Sequence, residues 1–430
     1  MSIHISVLTV FEQLYKPFLQ TSLIHGAQKK NIVDINVSSF FSYVDPKTRI
    51  DAPTFGPGPG MLIRPAVVEA AIEDKERQYG SAFTIFFSPQ GKKLDQQLLV
   101  NLANEMQKKP HILLVPARYE GMDTRVENYY ADLILSVGDF VLMGGDLPAM
   151  VFLEGILRLF PGVVGKEESV EKESFSGPFV DFPAYTRPID WKGYLVPAIV
   201  RSGNHAAINE WRMEQAAQDT VLQHFNWLRT QHVLTDKQKN LVKKFIPSHY
   251  LAFYFNDMFE SMEKDNELTL LKLLTICDIA CSSSLYGLTA LFLNLKPEKK
   301  NLLKDYFFNN IENSIRKNAA ISLIKSCKSI NSAINMIIEK EGKKPLLVGI
   351  TNLSESNNGK TISFYDQSLV WESQRPVLFI FNIDAVSSDQ INKDYDFLLP
   401  PPSSLAGGGN LSMSSLIAVV FDRWFGVNLR

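Results

Sequence analysis

The stretch Ser136–Pro148, SVGDFVLMGGDLP, carries the residues best suited to holding a flat ligand. Val137, Phe140, Val141 and Leu142 favour a strand, Gly144 and Gly145 allow backbone angles closed to other residues, and Pro148 suits a helix's first turn. Two glycines also bare the main chain, so an adenine ring could lie against it and be read by peptide N–H and C=O groups. A plain strand-to-helix turn has the same composition, since Gly and Pro punctuate every fold. Three further stretches are irregular: FGPGPGM at Phe55–Met61, SPQG at Ser88–Gly91 and ARYEGMD at Ala117–Asp123. None is a GxGxxG fingerprint or a Walker loop, so nicotinamide and nucleoside-triphosphate chemistry lose their usual support. Cys277, Cys281 and Cys327 cannot form a disulfide framework, and no Cys/His set has zinc-finger spacing. Cys277 and Cys281, four apart on an expected helix, read as small core residues.

The elements that must position these loops alternate in type. Strand patterns cover residues 3–11, 32–37, 82–87, 111–116 and 133–142, and helical periodicity covers 12–30, 65–79, 95–108 and 147–160. Repeated β–α units predict a parallel sheet covered on both faces, with ligands at the loops beyond the strands' C-terminal ends. Lys166–Gly177, KEESVEKESFSG, reads as a charged linker. Helices follow from Asn204, a fair N-cap, to about Gln218 and from Asp236 to Phe245. From Ser248 a second alternation begins, with strands at 249–255, 288–293, 319–324, 343–351, 376–382 and 397–402 and helices at 268–283, 299–315, 329–341 and 412–425.

A chain of 430 residues calls for two or three domains, and 45% hydrophobic with 21% charged residues describes a globular protein. No apolar run reaches the length of a bilayer span, and MSIHISVLTVFEQLY lacks a basic n-region and a cleavage site. A cytoplasmic protein with no membrane partner is expected. The net charge of −2 gives no global reason to bind nucleic acid, but nine Lys/Arg against five Asp/Glu make residues 187–245 net +4. Residues 294–344, with eleven against five, are net +6. Such runs are solvated helix faces or phosphate contacts, and composition does not choose.

FGPGPGM, SPQGKKLDQ, ARYEGMDTRV, SVGDFVLMGGDLPAM, RLFPGVVG, PAYTRP and SGNHAAINEWR, in that order, resemble the bacterial tRNA (guanine-N1)-methyltransferase family, TrmD. The likeness covers about residues 1–245. It implies an α/β fold of the SPOUT superfamily, whose parallel-sheet domain carries a deep trefoil knot, an exception to unknotted connections. It also implies a homodimer with sites at the subunit interface. The reaction would be transfer of a methyl group from S-adenosylmethionine to N1 of guanosine 37 of tRNA, with Mg2+. Guanine N1 carries a proton, so a base must take it while charge building on O6 is stabilised. By motif position the arginine is Arg158 and the base Glu173 in KESF, where the family typically has aspartate. Ser169 matches a serine near the target base, and Glu120 of RYEG the acid beside the methionine moiety and metal. Ser88, Pro89, Tyr119, Ser136, Val137, Gly138, Leu142, Gly144, Gly145 and Pro148 match the cofactor pocket. Phe86 and Phe140 stand where the family often has tyrosine, and Ala117 replaces a glycine before RYEG.

The C-terminal part resembles a different branch of SPOUT-like RNA methyltransferase domains through KKPLLVGIT, PVLFIF and LSMSSLIAVVFDRWFG. That branch expects a GTGWGL-like run after PVLFIF and YNHLSVRSA before the last helix, whereas this chain has NIDAVS and GGNLSMSSL. The expected organisation is a knotted methyltransferase domain at 1–165, a linker at 166–186, a small helical tRNA-binding domain at 187–247 and a non-catalytic SPOUT-like α/β domain at 248–430. A bifunctional RNA methyltransferase and a non-catalytic RNA-binding or dimerisation scaffold are the alternatives; one, two or zero cofactors per chain separate the three.

Overall fold

The structure, a computed structural model, describes residues 2–57, 60–164, 173–231, 234–253, 267–294, 301, 303–306, 314–350, 359–381, 395–403 and 411–426. The chain forms two compact units, Met1–Gly177 and Pro178–Arg430.

The first unit is built on five parallel strands in the order β2-β1-β6-β5-β7. These are β1 (Ile3–Thr9), β2 (Val33–Ser39), β5 (Phe83–Lys93), β6 (His111–Pro116) and β7 (Leu133–Ser136). A short antiparallel pair, β3 (Asp51–Pro53) with β4 (Met61–Ile63), is inserted between β2 and β5. Helices α1 (Tyr15–Leu19), α2 (Ser22–Lys29), α3 (Pro65–Tyr79), α4 (Gln96–Met106), α5 (Thr124–Tyr130) and α6 (Asp146–Leu157) complete it. Both faces of the sheet are covered. Ile5, Val7, Phe87 and Leu114 pack against α4 and α6, while Leu8, Phe86, Leu113 and Val115 pack against α3. All of β6 is buried, as a central parallel strand requires.

Several elements differ from their sequence patterns. The single helix expected at 12–30 is broken at Gln20 and Thr21, where Thr21 takes an extended backbone to start α2. β7 stops at Ser136, and Val137–Leu142 extend no strand. Conversely, β5 runs on through SPQG to Lys93.

Among its described residues the second unit carries seven parallel strands in the order β12-β11-β10-β15-β13-β16-β14. Their ranges are β10 (His249–Phe253), β11 (Ala290–Leu293), β12 (Ile324–Ser326), β13 (Leu346–Ile350), β14 (Lys360–Thr361), β15 (Val377–Phe381) and β16 (Phe397–Leu399). A two-stranded hairpin, β8 (Asp190–Trp191) with β9 (Tyr194–Leu195), precedes them. The helix His205–Gln223 is capped by Asn204 and runs one turn beyond its expected end. Ala216, Ala217 and Val221 of that helix share one core with Leu251, Ile276, Phe379 and Phe421, so the basic helical segment packs into the second α/β core. Residues 314–323 are helical, and only Ile324–Ser326 form the strand expected at 319–324. Most of the helix expected at 299–315 lies outside the described residues.

Candidate cofactor site

At a bulge within β5 and beyond the C-terminal ends of β6 and β7, three segments of the first unit meet around a cleft of about 330 Å³. That lies at the small end of the roughly 300–1,000 Å³ usual for small-molecule sites. The first loop is SPQG. Pairing of β5 with β7 runs to Phe87–Leu135 and resumes at Lys92–Leu135, so Ser88–Gly91 bulge outward. Gly91 permits this because a Cβ there would fall 2.6 Å from backbone atoms of Ile134 and Leu135. Phe87, Ser88, Pro89 and Gln90 line the cleft. Phe86 does not: strand alternation turns it to the opposite face, where it is fully buried beside Leu113 and Val115.

The second loop follows β6. Tyr119 adopts φ +60° and Gly121 φ +118°, a left-handed turn that costs a tyrosine roughly 1–3 kcal/mol unless its surroundings fix it. The Glu120 N–H donates to the Met61 carbonyl at 3.2 Å and the Gly121 N–H to that of Arg118 at 3.0 Å, which supply the fixing. Ala117, Tyr119 and Glu120 line the cleft, with the Glu120 side chain exposed.

The third loop brings Ser136, Val137, Gly138, Phe140, Leu142, Gly144 and Gly145, with Pro148 of α6, to the same wall. Gly145 sits at φ −80°, and Gly144 is not left-handed either, so neither glycine supplies special backbone angles. Close approach is the reason for Gly145. A Cβ would lie 2.8 Å from the Ala117 nitrogen and 2.9 Å from Pro116 Cα, and the Gly145 N–H donates to the Ala117 carbonyl at 2.7 Å.

Beneath these loops lies Asp146, fully buried at the start of α6. It accepts from Arg118 Nε at 2.6 Å, Thr9 Oγ1 at 2.5 Å and the Tyr15 hydroxyl at 3.1 Å. A buried carboxylate needs such partners. Burial, reinforced by Asp146, holds the Tyr15 phenol far above its ordinary range, so it remains a donor. The Arg118 guanidinium also lies 4.7 Å from the centre of the Phe11 ring. The network ties the RYEG loop to the GGDLP loop through residues whose distance in sequence gave no hint of pairing.

Arg158, at the end of α6, donates from Nη2 to Glu173 Oε1 at 2.5 Å, and both side chains are partly exposed. The structure brings these two together but places neither in the cleft lining of the single chain. Ser169 lies outside the described residues.

Residues 3–230 match the family described as tRNA (Guanine-1)-methyltransferase TrmD. The chain belongs to the TrmD family. Residues 260–426 match a second family, described as SAM-dependent RNA methyltransferase. A Geobacillus kaustophilus protein named tRNA (guanine-N(1)-)-methyltransferase is 37% identical over 241 residues, covering 56% of this chain and 97% of its own length. The Bacillus subtilis protein of the same name is 37% identical over 242 residues, 98% of its length. One from Nitratidesulfovibrio vulgaris, again of that name, is 29% identical over 431 residues, covering 98% of this chain and 99% of its own. Relatives so named thus occur both with and without a counterpart of the second α/β part.

Proposed function

We propose that this TrmD-family enzyme, an S-adenosylmethionine-dependent tRNA (guanine-N1)-methyltransferase, acts on guanosine 37 as a cytoplasmic homodimer, binding its cofactor in the three-loop cleft. The observation that carries the reading is the convergence of SPQG, RYEG and MGGDLP on one cleft at the sheet's C-terminal edge. Its walls suit the cofactor: apolar surface from Phe140, Leu142 and Pro148, the glycines Gly144 and Gly145 beside them, and carboxylates at Glu120 and Glu127.

S-adenosylmethionine supplies the methyl group on a sulfonium centre. Guanine presents N1–H and O6 side by side, a donor beside an acceptor. The Glu173 carboxylate and Arg158 guanidinium offer the complementary pair. Glu173 would take the N1 proton while N1 bonds to the methyl carbon, the carbon–sulfur bonding pair staying on sulfur. Arg158 steadies the charge that builds on O6. Ser169 sits near the target base in this reading. Glu120 would give Mg2+ one oxygen ligand, in keeping with that ion's preference for few protein ligands and several waters. Among the described residues no group of three or more His, Cys, Asp or Glu gathers for a metal.

Dimerisation would bring a partner's Arg158 and Glu173 toward the cleft. Large apolar side chains exposed beside it, Val141, Met143, Leu147 and Val151, support such an interface. Among the described residues no helix is long and apolar enough to cross a membrane. The test is methyl transfer from labelled S-adenosylmethionine to unmodified tRNA carrying guanosine at position 37. Product should be 1-methylguanosine, absent when adenosine replaces guanosine 37; a protein that binds cofactor yet labels neither tRNA would sink the reading.

A further inference from the structure

Glu127 differs from the other acids around the cleft. Asp123 is held by Arg125 through two bonds of 2.9 and 2.7 Å, and Asp146 by Arg118, Thr9 and Tyr15. Glu120 is open to water. Glu127, on α5, lines the same cleft and is half-buried, and its carboxylate has no hydrogen-bond or ion-pair partner among the described residues. Such a group loses hydration and gains nothing in return. Burial alone moves its pKa, upward from the ordinary carboxylate value, and no cation opposes the shift. The unliganded chain therefore bears a cost that an entering cation would remove.

We propose that Glu127 is the counter-ion for the cationic methionine end of the cofactor. The inference rests on reading the cleft as the S-adenosylmethionine site and adds which residue recognises its charge. The cofactor has two positive groups, a sulfonium and an α-ammonium. A carboxylate attracts the first by charge alone and the second by charge-assisted hydrogen bonds. S-adenosylhomocysteine keeps only the ammonium, and 5′-methylthioadenosine has neither. If the sulfonium is the partner, loss of the methyl group abolishes the attraction, because the carbon–sulfur bond breaks with its electron pair on sulfur. Glu127 would then favour substrate over product.

Calorimetry on the full-length Glu127→Gln protein with these three ligands tests the inference. S-adenosylmethionine should bind about tenfold more weakly or worse, while 5′-methylthioadenosine stays within about twofold of the parent. S-adenosylhomocysteine at parental affinity assigns the sulfonium, and a fall matching that of the methyl donor assigns the ammonium; both support the proposal. The unliganded variant should melt at or above the parental temperature, because the uncompensated charge is gone. Unchanged affinity for the methyl donor, equal loss for all three ligands, or a lowered melting temperature overturns it, the last two marking a ribose contact or a structural role. A parent that binds no S-adenosylmethionine would instead refute the cofactor site itself.

Discussion

Glu173 carries one methylene more than the aspartate usual in its motif, and its carboxylate is already matched to Arg158 at 2.5 Å. Basicity alone survives the exchange, since Asp and Glu titrate near ~3.9 and ~4.3, so geometry decides. A general base must come within roughly 2.6–3.2 Å of its proton, directly or through one water, and a longer side chain can overshoot. Glu173→Gln should cut the single-turnover methylation rate about 10²-fold or more with little change in tRNA affinity, and Glu173→Asp should keep or raise the rate. Thermal stability should barely move, because a partly exposed ion pair contributes about 1 kcal/mol at most. Glu168 and Glu171, outside the described residues, are the rivals. A Glu173→Gln protein as fast as the parent beside a slow Glu171→Gln or Glu168→Gln protein would reassign the base. Motifs made Arg158, Glu173 and the lining residues nameable from sequence. They could not disclose the pairing of Arg118 with Asp146, because no periodicity links positions joined only by the fold, and the motif position pointed to Phe86 where strand alternation turns Phe87 to the cleft.

Among the elements, long periodic segments were the most legible: α3 spans its expected residues, and Ser329 and Ser412 cap helices where the pattern starts. Boundaries failed where apolar composition fits either state. Ala319–Leu323 read as a strand but continues a helix, and Val137–Leu142, though strand-like in content, forms a loop after β7. The burial of β10 also creates a pH dependence that no motif announces. At its start, His249 Nδ1 donates to the Pro247 carbonyl at 2.6 Å, while Nε2 accepts from Trp371 Nε1 at 3.0 Å and Trp424 Nε1 at 3.4 Å. Burial depresses its pKa to about 3, below the 6.5 of an exposed histidine. The unfolded chain therefore binds more protons between those values. The stability involved is fully present above about pH 6.5 and is lost as pH falls toward 3, amounting to about 2 kcal/mol by pH 5. Urea unfolding of the parent and of His249→Gln, whose amide oxygen can still accept an indole N–H, should show a shallower acid loss in the variant. Equal slopes between pH 7.5 and 5 would mean that His249 is not the titrating group.

At the scale of the whole chain, two parallel-sheet units raise the question of two cofactor sites. The alternation of strands and helices made both sheets legible, but the shared core of the His205–Gln223 helix with the second sheet depends on packing that one-dimensional patterns do not carry. In the first unit the cofactor loop needs glycine because Gly145 meets β6 at under 3 Å. The second unit matches a SAM-dependent RNA methyltransferase family over residues 260–426, yet after β15 it continues with NIDAVS, which lies outside the described residues. NIDAVS contains no glycine, so it offers no residue able to approach another backbone as closely as Gly145 does. We therefore expect one S-adenosylmethionine per full-length chain by calorimetry. Gly145→Val should lower that number to zero, because its side chain would strike the Ala117 and Pro116 backbone and force the GGDLP loop off the end of β6, distorting the cleft in the first unit. Two cofactors per chain would establish a second functional site and the bifunctional reading. One cofactor retained at parental affinity by a folded Gly145→Val protein would move the site out of the first unit altogether.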